Sequence, residues 1–91
     1  MNIIHDEKNH RFYCVTDGKE CLVEYSVEGD VIDFYHTYVP LSLRGKGIAK
    51  TIYDHVYDWL KGRERNGEKL KIKTSCSYAE KYFNEKNRVS K

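Results

Sequence analysis

Apolar and polar side chains alternate with a period of two over Arg11–Thr16 and again over Lys19–Val27, the signature of half-buried strands. Between them stands Asp17-Gly18, a two-residue hairpin loop whose members both tolerate positive φ. That loop opposes Thr16 to Lys19, Cys14 to Cys21 and Phe12 to Val23. It gathers Phe12, Cys14, Cys21, Val23, Tyr25 and Val27 on one face. A second turn, at Glu28-Gly29 or Gly29-Asp30, leads into a third alternating segment, Val31–Val39. With Glu28-Gly29 as the loop, Tyr25 meets Ile32, Val23 meets Phe34 and Cys21 meets His36. Val31, Asp33, Tyr35 and Thr37 then point to the opposite face. Residues 1–9 are expected to form an opening edge strand or a partly ordered start.

Beyond Pro40 the period lengthens. Ile48, Ile52, Val56, Trp59 and Leu60 fall on one helical stripe, with Lys50, Thr51, Asp54, Asp58 and Lys61 facing away. Gly62 is expected to stop this helix and leave 62–67 as a charged surface loop. Leu70–Thr74 reads as a short strand with Leu70 and Ile72 inward. Tyr78–Lys86 reads as a second helix with Tyr78 and Tyr82 one turn apart. The order β-β-β-α-β-α predicts an α+β domain of α/β-like character on one mostly antiparallel sheet.

A chain of 91 residues holds one domain, 1–91, and is too short for a doubly wound dinucleotide fold or a (β/α)₈ barrel. Hydrophobic residues at 40% and charged residues at 33% exclude both a disordered chain and a membrane-embedded one. Sixteen basic against fourteen acidic side chains leave a net charge of +2, too little to imply nucleic acid by bulk charge. The three cysteines, with no signal-like apolar run at the start, make a reducing cytoplasm the expected setting. Cys14 and Cys21 are expected to be buried free thiols. His5, His10 and His55 share no ligand spacing with the cysteines, so no metal site is expected.

The most informative segment is Val39-Pro40-Leu41-Ser42-Leu43-Arg44-Gly45-Lys46-Gly47-Ile48-Ala49, which joins a strand end to the start of the amphipathic helix. Glycines let the backbone approach a ligand closely, and the first helical N–H groups lack intrahelical partners. Those donors and the positive dipole end suit a pyrophosphate, with Arg44 and Lys46 adding charge. The alternative is an ordinary turn with a solvated basic rim. Neither the Walker A spacing nor Gly-x-Gly-x-x-Gly is present, since Lys50 occupies the third position of the latter.

The segment resembles the acetyl-CoA-binding loop of the GNAT superfamily of N-acetyltransferases. That motif, Arg/Gln-x-x-Gly-x-Gly/Ala, is met by Arg44, Gly47 and Ala49. His36-Thr37-Tyr38-Val39-Pro40, the loop itself, and Cys76-Ser77-Tyr78 followed by Tyr82 are similar to the short, single-domain YjdJ-type GNAT-like family. The chain departs from that family at Asn87, where a proline is frequent, and in its Arg88–Lys91 ending. The resemblance implies a minimal GNAT-like fold and acetyl-CoA as acetyl donor, held by the backbone N–H groups of Gly45, Lys46, Gly47, Ile48 and Ala49. It also implies that the pantetheine arm runs along Thr37, Tyr38 and Val39, and that the thioester lies near Cys76, Tyr78 and Tyr82.

Two routes to acetyl transfer follow. An amine attacks the bound thioester directly, or Cys76 first accepts the acetyl group, helped by a helix N-terminus that favours its thiolate. His36 is the candidate base, and Tyr82 or Tyr78 the candidate proton donor to the departing thiolate. Against these stand a core-facing histidine, a packing thiol and packing aromatics. Asp33 is a further base candidate if its face meets substrate. The expected acceptor is an amine, whether a small molecule or a protein lysine, and the chain is expected as a monomer or weak homo-oligomer. Two other readings are a CoA-binding module without catalysis and a nucleic-acid platform of Lys69, Lys71, Lys73, Arg63 and Arg65 with Tyr35 and Tyr38. Such lysines more often protect a sheet edge.

Overall fold

The computed structural model describes residues 1–89, with side chains as far as Lys86. Of the two departures singled out above, the side chains of Asn87, Arg88 and Val89, and Ser90 and Lys91 altogether, lie outside what is described. Four antiparallel strands follow one another: β1 (Ile4–Asp6), β2 (Arg11–Thr16), β3 (Lys19–Glu28) and β4 (Val31–Tyr38). A 3₁₀ turn at Leu41–Leu43 leads to helix α1 (Ile48–Arg65). Strand β5 (Lys71–Lys73) then lies parallel to β4, and α2 (Ser77–Val89) ends the fold. The sheet order is sequential, β1-β2-β3-β4-β5, so the opening segment is indeed an edge strand. This is the mixed, mostly antiparallel α+β architecture that the sequence pattern predicts.

The first hairpin has the expected register. Asp17 (φ 52°) and Gly18 (φ 73°) make its turn, and Cys14 faces Cys21 with both buried. The second hairpin differs. Its loop is Gly29-Asp30, so Glu28 faces Val31 and Tyr25 faces Phe34 rather than Ile32. A bulge then shifts the ladder: Glu24 faces His36 and Val23 faces Thr37, leaving Tyr35 as the extra residue. One inserted residue inverts the facing of all that follows. His36, expected opposite Cys21 in the core, is exposed, whereas Thr37 is turned to the helical side.

Both helices cover a single core on one side of the sheet, with Phe12, Val23, Ile32 and Phe34 beneath Ile52, Tyr53, Val56, Ala79 and Tyr82. Helix α1 continues through Gly62, the expected stop, to Arg65, and Asn66 and Gly67 (φ 89°) terminate it; the strand expected over Leu70–Thr74 is shorter, Lys71–Lys73. Gly62 has ordinary helical freedom, and the Arg63–Glu68 ion pair reinforces the last turn. Asp54 does not face away but meets Tyr82 of α2. Ile72, expected inward, is 39% exposed, because edge strand β5 extends beyond the cover of the helices. Val27, at the far end of β3, is likewise exposed.

Candidate active site

The loop from β4 to α1 is held from three sides. Leu43 is buried in the core, Lys19 Nζ donates to Ser42 Oγ at 2.7 Å, and Arg44 Nε donates to the Val39 carbonyl at 3.0 Å. The Arg44 side chain therefore ties the loop back to the strand it leaves. Gly45 (φ 81°) and Gly47 (φ 74°) both occupy the left-handed region, which costs other L-residues about 1–2 kcal/mol. A Cβ added at either would project into open space, so the glycines leave room at the loop surface rather than relieve a clash within the protein. Gly47 is the N-cap of α1 and supplies no side-chain acceptor; the first turn carries no acidic residue. Its unpaired N–H donors and positive end are thus uncompensated by the chain, which is what an anionic ligand requires.

From this cradle a groove of about 480 Å³ runs past Thr37, Tyr38 and Val39 to Cys76, Ser77 and Tyr78. It exists because β4 and β5 part. Their pairing ends at Asp33 opposite Lys73. Beyond that point the Cys76 N–H donates to Phe34 O at 3.1 Å, and the Cys76 side chain reaches Thr37. Asp33, a base candidate from the sequence, accepts bonds from both the N–H and the hydroxyl of Ser75 (3.1 and 2.8 Å) and so fixes the turn into α2.

Cys76 immediately precedes α2, and its carbonyl accepts the Glu80 N–H at 3.0 Å, as an N-cap carbonyl does. Its thiol donates to Thr37 Oγ1 at 3.3 Å, and the Thr37 and Tyr53 hydroxyls are 2.6 Å apart. Burial pushes the thiol up, but bonds from the Thr37 hydroxyl and from the backbone N–H groups of Ala79, Tyr78 and Thr37 outweigh it. The net pKa lies below the ordinary thiol value. Burial drives Tyr53 the other way, so this fully buried phenol keeps its proton. Tyr53 was not singled out in the sequence. The clue was its place beside Ile52 on a helix face that must turn under β4.

The remaining candidates separate. Tyr78 stacks on Tyr53, with ring centroids 5.4 Å apart, and borders the groove. Tyr82 instead donates to Asp54 Oδ1 at 2.6 Å, and Asp54 also accepts Lys50 Nζ at 3.0 Å. Burial raises the Tyr82 hydroxyl, as does the Asp54 carboxylate it bonds. Tyr82 lines a second cavity between α1 and α2 rather than the groove. His36 stands exposed on β4 beside Thr37, with Glu24 opposite. Lys46 is exposed on the loop, and Ile48 is a core residue whose backbone alone faces the cradle. No helix among the described residues is long and apolar enough to cross a membrane.

Comparison with known proteins agrees with this arrangement. Residues 11–91 match the model of a family described as GCN5-related N-acetyl-transferase. The chain is 31% identical over 88 residues to Protein NATD1 of Gallus gallus, covering 93% of this chain and 76% of that protein. Protein NATD1 of Xenopus tropicalis is similar to the same extent. Protein NATD1 of Homo sapiens is 30% identical over 93% of this chain and 74% of its own length. The chain belongs to the GCN5-related N-acetyltransferase family.

Proposed function

We propose that this member of the GCN5-related N-acetyltransferase family moves an acetyl group from acetyl-CoA to an amine by way of Cys76. The observation that carries the reading is one continuous groove with an anion cradle at one end and a hydrogen-bonded, lowered-pKa thiol at the other. Gly45, Lys46, Gly47, Ile48 and Ala49 offer backbone donors to the pyrophosphate, and Thr37, Tyr38 and Val39 line the path of the pantetheine arm. The groove binds and orients the donor, which converts a bimolecular encounter into a positioned one.

The Cys76 thiolate attacks the thioester carbonyl, forming a sulfur–carbon bond, and CoA leaves with the thioester electron pair as its thiolate. An amine then attacks the acetylated Cys76. The amide forms, Cys76 recovers its electron pair, and the surplus amine proton goes to a base. His36, the base expected from the sequence, lies on the face of β4 opposite Thr37 and does not line the groove, so the proton passes to solvent. The half-buried thiol, N-capping α2 and bonded to Thr37, supports this route over direct attack, which needs no activated sulfur. The reducing cytoplasm is the proposed setting, in keeping with free thiols at Cys14, Cys21 and Cys76.

The test is intact-protein mass spectrometry after mixing with acetyl-CoA and quenching in acid. One acetyl group should appear on Cys76, and Cys76→Ala should lose both the label and turnover with an amine panel. Full turnover by Cys76→Ala would transfer the reaction to direct attack.

A further inference from the structure

Both helices lie on one side of the sheet, and among the described residues nothing covers the other. Register sets two rows of side chains straight across that uncovered side. One row is apolar: Ile4 faces Tyr13, Tyr13 faces Leu22 and Leu22 faces Tyr38. Ile4 and Tyr38 are exposed, and Tyr13 and Leu22 are half-buried. The other row stands two residues along each strand and is polar: Asp6, Arg11, Glu24 and His36, one from each of β1 to β4. Arg11 lies over the Tyr13 ring, 4.7 Å from its centroid, and donates to Glu20. A guanidinium has further donors to offer a second carboxylate.

We infer that a second copy of this chain packs on the uncovered side, sheet to sheet, about a two-fold axis running along the strands between β2 and β3. That axis lays β2 of one copy on β3 of the other, and β1 on β4. In the apolar row Tyr13 then meets Leu22 and Ile4 meets Tyr38. In the polar row Arg11 meets Glu24 and Asp6 meets His36, and the symmetry makes each contact twice. Read from either end, that row is its own complement, which is what selects a second copy as the partner. An axis across the strands would instead set Glu24 against Glu20, a repulsion. Arg11 and Glu24 lie next to the axis, so the turn of about 30° between stacked sheets leaves them opposed. Four strands about 4.8 Å apart, over the eight residues of β4, make a face of about 500 Å². Two such faces bury about 1,000 Å², the lower bound of a specific interface, so the association is reversible. The helical side, with Cys76, stays outside the contact, and the inference does not depend on the acetyl-CoA reading.

Sedimentation equilibrium of the full chain between about 10 μM and about 1 mM tests the pairing, and the wild-type protein should pass from monomer to dimer over that range. Arg11→Glu and Glu24→Arg each bring like charges together twice, so each variant alone should weaken the dimer about tenfold or more. An equimolar mixture of the two should recover wild-type association, because each then supplies the charge that the other lacks. An unfolded variant could not give that recovery, and circular dichroism confirms the fold of each. Leu22→Ser, in the middle of the apolar row, should weaken the dimer as well. Tyr38 is left unsubstituted because it also borders the groove. A protein that stays monomeric up to about 1 mM would overturn the proposal and leave the face to a different partner. Single charge reversals that dimerise as tightly as the wild type, or folded variants whose mixture fails to recover, would overturn it too.

Discussion

At Tyr53 a single hydroxyl links the interior of the fold, through Thr37, to the sulfur of Cys76. The phenol is fully buried, its hydroxyl is 2.6 Å from that of Thr37, and Thr37 is the hydrogen-bond partner of Cys76. When Cys76 carries its proton, the thiol donates to Thr37. When it is ionised, Thr37 must donate instead, and the Tyr53 hydroxyl can then satisfy the Thr37 oxygen. The two hydroxyls thus stabilise the charged sulfur together with the backbone donors at the start of α2. Because the Cys76 pKa is lowered, its thiolate persists to lower pH than an ordinary thiol's and is lost as pH falls through the shifted value. Thr37→Val should raise the midpoint of the pH profile for iodoacetamide labelling of Cys76, by about a unit or less, with Tyr53→Phe raising it less. Thr37→Ser should keep it near the wild-type position. Cys14 and Cys21 are buried and should not report. A Thr37→Val midpoint that does not move would remove Thr37 from any part in activating the sulfur.

Among the elements, β4 and α1 decide where the site falls. The bulge at Tyr35 carries Thr37 to the helical side, and without it Thr37 would face solvent. The sequence did not reveal it, because Tyr35-His36-Thr37-Tyr38 contains no strongly apolar residue to fix which parity is inside. The first hairpin was legible for the opposite reason: Asp17-Gly18 selects one turn, and Phe12, Cys14, Cys21 and Val23 mark one face. The glycine loop before α1 was also legible, since two left-handed positions there need glycine. Tyr53 escaped because its polar tip disguises a core residue. At Gly62 the pattern misled, as tertiary contacts and the Arg63–Glu68 pair carry the helix through a residue of poor propensity. A Cβ at Gly62 would meet only Arg65, at an ordinary 3.9 Å. Gly62→Ala should therefore stabilise the fold by about 0.5–1 kcal/mol, read from the urea midpoint at unchanged slope. A loss of stability would mean that α1 ends before this residue.

As a whole, the molecule is one sheet with helices on one side only. The groove is shared between the β4–α1 loop, the parted edge of β4 and the start of α2, so a ligand that filled it would touch three separate elements. That arrangement leaves little protein for an enclosed second pocket beside the groove. Ligand that binds only the assembled groove stabilises the folded state by mass action, by about 2.7 kcal/mol at a hundred times its Kd. The central claim, that this groove is an acetyl-CoA site, is tested most directly by calorimetric titration of the full chain with acetyl-CoA. Saturable binding at one site per chain is the predicted result; no heat of binding at millimolar acetyl-CoA would contradict it.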